Sequence, residues 1–198
     1  MTLEATVSMG WVNTVIDAAK NLGVPENLLL ETAGLPAGAL SLERWPIDFI
    51  TRLWHAAEQC TRDPGFGLKV GTGVRPASID AVSFAMQSAA TLREAITLVQ
   101  KYQRLISDGG RFQMIPGSRG TWIVYHPRQG RLAFSPHQIE AVLSAVVSLT
   151  DWIAGSAVGP VRNARTLIHT SPTPVTRRTA GGGWGGPVGG GGVGWGGG

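Results

Sequence analysis

The residues best able to do chemistry are few and poorly spaced for acting together. Cys60, the only cysteine, and His55 lie five positions apart in a stretch with helical periodicity. That separation sets them about 140° apart around the axis, so they do not share a face as nucleophile and base. His126, His137 and His169 stand alone, with no His-Glu-x-x-His or Cys-x-x-Cys spacing that would hold a metal. Gly71-Thr72-Gly73 has neither the Gly-Lys-Ser/Thr end of a phosphate loop nor the third glycine of a dinucleotide fingerprint, and it reads as a turn. A reaction requires a convergent set of groups. The expectation is therefore a non-enzyme, with no catalytic residue, no metal and no cofactor.

Binding is better supported than catalysis. Trp11, Trp54, Trp122 and Tyr125 fall on helical or strand segments and could line an apolar cavity between the two layers, with Arg104 or His126 as a polar anchor. Core filling is the plainer role for each aromatic. Tyr102 and Arg104 share a helix but not a direction, so one is expected to point inward while the other is solvated or anchors a neighbouring loop. The candidate ligand contacts are thus Trp54, Tyr102, Arg104, Trp122, Tyr125 and His126. A helix from Ile139 to Trp152 is apolar on more than one side. Its Ile139, Val142, Val146 and Leu149 form either a dimer interface or, with complete burial, the centre of the monomer.

The elements that must position these residues follow from periodicity and punctuation. Trp11, Val12, Val15, Ile16, Ala19 and Leu22 recur with helical spacing up to Gly23, a left-handed stop. A short helix after Pro25 carries Leu28 to Leu30 and ends near Gly34. A third begins at Pro46 and Asp48, with Ile50, Leu53, Trp54 and Ala57 on its buried side. Asp63-Pro64-Gly65 is a turn, and Gly67 and Gly71 are expected to bring backbone close to the preceding helix. Ile79 to Ile106 reads as two helices, the second opened by the capping box Thr91-Leu92-Arg93-Glu94, with Leu92, Ile96, Val99 and Leu105 as its apolar stripe. After Asp108-Gly109-Gly110 the period becomes two, predicting a hairpin from Arg111 to Tyr125 around Pro116 to Gly120. Ser135-Pro136-His137-Gln138 caps the last long helix, which Gly155 ends. Thr166 to His169 is one more short strand. The fold class is α+β, predominantly helical, with a small antiparallel β-hairpin or sheet.

The chain has 198 residues and a formal net charge of +4, which suits one globular domain. Residues 1 to 60 are acidic, while Arg104, Arg111, Arg119, Arg128, Arg131, Arg162, Arg165, Arg177 and Arg178 make the second half basic. Such asymmetry is compatible with a nearby nucleic acid or an anionic ligand. Arginines scattered over an ordinary domain account for it more simply. The lone cysteine fits a reducing compartment. The start Met1-Thr2-Leu3-Glu4 lacks a secretory n-region, and no apolar run reaches the roughly 18 residues of a spanning helix. The expected location is cytoplasmic, without membrane contact.

Several joints taken together carry a family likeness. They are Leu28-Leu29 with Gly34-Leu35, the helix after Pro46, and the run Asp63-Pro64-Gly65-Phe66-Gly67-Leu68-Lys69-Val70-Gly71. Thr91-Leu92-Arg93-Glu94-Ala95, Lys101-Tyr102-Gln103-Arg104-Leu105, and His169 with Pro172 complete them. The chain over residues 24 to 172 resembles the arabinose-binding-like N-terminal domain of AraC-family bacterial transcription regulators, in the subgroup whose sensor is mostly helical. The resemblance implies an effector-sensing and dimerisation domain spanning residues 1–180, a homodimer, a possible small-molecule effector, and DNA contact only through a C-terminal helix-turn-helix domain that this sequence does not contain. A purely dimerising or protein-contact domain is the alternative. Residues 181–198 are glycine apart from Trp184, Pro187, Val188, Val193 and Trp195. Trp184-Gly185-Gly186-Pro187-Val188 falls where such domains carry an aromatic, two residues, then Pro-Val. The tail is therefore read as the end of the same domain, with glycine standing in for lost side-chain identities.

Overall fold

The structure is a computed structural model that describes residues 4–36, 38–79, 81–118, 120–128 and 130–155, together with the backbone of 191–195. The strand expected at Thr166 to His169, the His169 and Pro172 joint and the basic residues from Arg162 onward lie outside the described residues. The architecture is α+β and mostly helical. In chain order it runs β1 (Thr6–Ser8), α1 (Met9–Asn21), α2 (Glu26–Thr32), β2 (Arg44–Pro46), α3 (Ile47–Thr61), α4 (Phe66–Thr72), α5 (Ala81–Gln87), α6 (Leu92–Ile106), β3 (Gly110–Gly117), β4 (Gly120–Pro127), α7 (Pro136–Ala154) and β5 (Gly191–Trp195).

Helix ends follow the local chemistry. Ser8 and Thr91 accept from the third amide of α1 and α6, Trp11 and Glu94, and Ser135 accepts from His137 at the start of α7. The Thr91 box closes one residue early, because the Glu94 carboxylate accepts from the Ala90 amide at 2.9 Å. Gly23, Gly34 and Gly155 have positive φ where helices end, a conformation that costs a glycine little.

Two small sheets hold the helices together. Antiparallel β1 and β2 pair Val7 with Trp45, and an isolated bridge joins Val7 to Ser107 just past α6. Thr6 is clasped there by Asp108, whose carboxylate accepts from the Thr6 amide at 3.1 Å and hydroxyl at 3.2 Å. Arg44 of β2 donates to the Leu105 carbonyl at 2.6 Å and the Arg104 carbonyl at 3.1 Å. The guanidinium thus covers the carbonyl end of α6, where a cation is favoured. β3 and β4 form the expected hairpin, with Phe112 opposite Tyr125 and Gly117 opposite Gly120. β5 adds antiparallel to β4 on its other edge.

The main core gathers Trp45, Trp54, Phe66, Leu29, Ile50 and Leu53, all without exposed surface beyond a trace. Trp54 and Phe66 meet edge to face at 5.7 Å, an arrangement the ring quadrupoles favour. Two expectations are corrected by this packing. The run after Asp63-Pro64-Gly65 is a helix, α4, and its Gly67 and Gly71 face α7, not the preceding helix. A side chain at Gly67 would strike the His137 backbone, and one at Gly71 would strike the Ala141 carbonyl and Ser144. The buried stripe of α6 also differs from the expected one. Ala95 is fully buried and Val99 and Ile106 partly so, whereas Leu105 is 55% exposed. With 3.6 residues per turn, Ala95, Val99, Gln103 and Ile106 make one line, which leaves Leu105 outside it.

Candidate functional site

A cavity of about 80 Å³ lies where α1, α3, α6, α7 and the hairpin meet. The mostly apolar wall includes Val7 of β1, Trp11 of α1, Ile50 of α3, Val99 and Ile106 of α6, and Phe112 of β3. From α7 it receives Gln138, Val142, Ala145, Val146 and Leu149. Gln138, Val142, Ala145 and Leu149 recur at steps of four, three and four, one stripe of a helix. Among the described residues that line it there is no Asp, Glu, Lys, Arg, His or Cys.

Four polar side chains reach this space, and three of them are engaged within the protein. The Gln103 carboxamide accepts from the Phe112 amide at 2.8 Å and donates to the Gln100 carbonyl at 2.7 Å. The Tyr125 hydroxyl donates to the Gly109 carbonyl at 3.2 Å, and burial holds its phenol above the usual value, so it stays protonated. Ser107 Oγ accepts from the Gly109 amide at 2.9 Å. Gln138 is different. It is 5% exposed, and its Oε1 is buried without a hydrogen-bond partner among the described residues.

Of the six candidate contacts, the fold brings Tyr125 to the cavity. Its ring lies 5.0 Å from that of Phe112, and Gly110 makes room, since a Cβ there would collide with the phenol. Trp54 sits in the main core, its indole Nε1 without a partner among the described residues. Tyr102 is on the outer side of α6, where Lys101 Nζ rests 5.2 Å from the ring centre. Arg104 is exposed and pairs with Asp108 at 3.1 Å, so neither it nor Tyr102 points inward; the residue between them, Gln103, does. Trp122 is 42% exposed on β4. His126 bonds Gln113 Oε1 at 2.9 Å. Of the four α7 residues considered for an interface, Val142, Val146 and Leu149 line the cavity and Ile139 packs by Phe112, Tyr125 and Leu143, with Ile139, Val142 and Val146 half-buried.

Gln103 and Gln138 were missed by sequence reasoning. Gln138 was legible only as part of a helix cap, yet a glutamine on the apolar stripe of α7 was the available signal. Cys60 and His55 do not meet: Cys60 Sγ contacts the Thr32 hydroxyl at 3.6 Å and His55 Nε2 lies 3.1 Å from the Ala133 carbonyl. Among the described residues no His, Cys, Asp and Glu cluster is arranged to hold a metal, and no helix is long and apolar enough to cross a membrane. A second, open groove of about 420 Å³ along α1 carries Asn13, Asp17, Lys69 and Arg75, a mixed-charge surface.

Residues 23–174 match the arabinose-binding domain found at the N-terminus of AraC transcription regulators. The chain belongs to this family. No curated protein matches it. The matched region contains every described lining residue except Val7 and Trp11. The family is one of regulatory ligand-binding domains of transcription regulators and not an enzyme family.

Proposed function

We propose that this domain senses a small-molecule effector in the cavity between α7 and the hairpin and passes its occupancy to the rest of an AraC-type regulator. The cavity carries the reading. It is a concave, mostly apolar recess with a few polar groups, the kind of place where small molecules bind. Family membership supports the same conclusion, since these domains regulate transcription. Residues 1–180 then act as one unit, and the pairing of β5 with β4 favours taking 181–198 as its end. In the complete regulator, self-association would fix the spacing of two DNA-reading halves, and the cytoplasm is where such a protein works.

A thermal-shift panel of sugars, amino acids, short acids, alcohols and phenols tests the sensing role. A ligand at a hundred times its Kd adds about 2.7 kcal/mol, which for a domain of this size raises Tm by roughly 5 to 10 °C. If no class moves Tm, sensing fails. Sizing at micromolar concentration tests association separately, and a strict monomer with and without ligand removes that half of the proposal.

A further inference from the structure

The walls of the cavity are held in unequal ways. Lining residues from β1, α1 and α3 are buried, while those that keep some exposure come from α6 and its end, from β3 and from α7. The space therefore lies nearest the solvent along the seam between α6 and β3. We propose that this seam is a gate: the hairpin swings on its base as one piece, and Gln100 and Gln103 of α6 latch it shut by gripping the main chain of Phe112. The gate rests on the sensing role proposed above, for which it is the way into the cavity.

The latch takes the place of a neighbouring strand. β3 is the edge of its sheet, with β4 beside it, and an edge leaves amides and carbonyls without ladder partners. The Arg128 amide donates to the Gly109 carbonyl, which sets the alternation along the pair. Gln113 and Val124 then bond each other across the ladder, and Phe112 turns its N–H and C=O outward. Gln103 Oε1 accepts from that N–H at 2.8 Å, and Gln100 Nε2 donates to that C=O at 3.1 Å. Gln103 Nε2 in turn donates to the Gln100 carbonyl at 2.7 Å, so both side chains act from one turn of α6. Among the described residues the other hydrogen bond from α6 to the hairpin is that of Arg93 to Thr121 Oγ1, at 3.4 Å on the surface.

Apolar packing separates along the same line. Phe112 and Tyr125 belong with Leu143 and Ile139 to a small cluster apart from the main core, and the cavity is lined from both. Gly109 and Gly110 stand at one base of the hairpin, and consecutive glycines absorb the φ and ψ changes of a hinge. β5 pairs with β4 on the edge away from the latch and moves with it.

Native-state hydrogen exchange at low urea, on the full chain without any ligand, tests the latch. The Phe112 amide should exchange through an opening almost independent of urea, while the Gln113 and Val124 amides stay protected and the α3 amides follow global unfolding. Gln100→Met keeps the side-chain length and a good helix former, and Gln100 is not a lining residue. It removes the bond to the Phe112 carbonyl alone, so the Phe112 amide, still facing Gln103, should exchange about five-fold faster, the equivalent of one net hydrogen bond. Access is read from Ala145→Cys in a Cys60→Ala background, since Ala145 is a lining residue at 4% exposure. Its labelling by iodoacetamide should quicken by the same factor with Gln100→Met, with α3 protection unchanged. The gate is overturned if Phe112 exchange in the wild type climbs with urea as steeply as that of α3, a result that needs no variant. It is also overturned if Gln113 and Val124 exchange together with Phe112, which means unravelling, or if Gln100→Met speeds exchange without speeding labelling, or neither. Sensing itself is then still decided by the thermal-shift panel.

Discussion

The two faces of α7 are built in opposite ways. Toward α4 the contact is backbone to backbone: Gly67 and Gly71 lie against His137, Ala141 and Ser144 with no space for a methyl group, and Ser144 Oγ donates to the Leu68 carbonyl at 3.1 Å. Toward α6 and the hairpin the same helix leaves a cavity of about 80 Å³. A helix held rigidly along one side and loosely along the other can respond to something placed on the loose side without losing its seat. On the proposed sensing role, stability and response fall on different surfaces of one element.

The tight face should be the more fragile. Gly71→Ala forces a Cβ into the Ala141 carbonyl and Ala145 amide, backbone that cannot swing away. We expect a loss of about 2 to 4 kcal/mol by urea unfolding, in the range of other overpacked or strained core changes. A loss under about 0.5 kcal/mol would mean that the α4 and α7 joint is as yielding as the cavity side.

On the loose face, Gly110→Ala meets the Tyr125 phenol, a side chain that can shift into open space. The expected cost is smaller, about 1 to 2 kcal/mol, accompanied by altered near-ultraviolet circular dichroism from Tyr125. A cost equal to that of Gly71→Ala would erase the distinction between the faces.

The cavity's rim also has a defined acid limit. For Asp108, burial raises the pKa, but the Thr6 amide, the Arg104 guanidinium and the Thr6 hydroxyl outweigh it and leave the carboxyl below its usual 3.8. Because the folded value is depressed, the clasp of β1 onto the end of α6 contributes fully above the unfolded value and is lost as pH falls below about 3.8 toward the folded one. Asp63 is lowered as well, chiefly by its hydrogen bond to Lys69. Comparing unfolding at pH 3 and pH 5, Asp108→Asn should remove part of the wild-type pH dependence. An unchanged difference would show that the clasp carries none of it.

The smallest expected effect is a gain. Val146→Ile adds one methylene facing the cavity, worth about 0.8 kcal/mol if it enters without strain, and it should weaken any ligand that the thermal-shift panel finds. Destabilisation instead would mean that the space is not available to be filled.

Local elements were legible in the chain itself. Caps at Thr91 and Ser135, stops at Gly23, Gly34 and Gly155, and the change to period two after Gly110 depend on interactions within a few residues, which short-range chemistry determines. The family likeness was legible for the same reason, because it rests on joints. The site was not. Of the residues chosen for ligand contact Tyr125 reaches the cavity, whereas Tyr102 and Arg104 lie on the outer side of α6, because their direction depends on which stripe of that helix the rest of the protein covers. Likewise the spacing of Gly67 and Gly71 announces a close approach of two backbones, but the approaching helix is α7, some 70 residues later. Periodicity and caps determine where the helices and strands run; only the tertiary structure decides which stripe of a helix is covered and what stands opposite it, and a cavity is a property of that opposition.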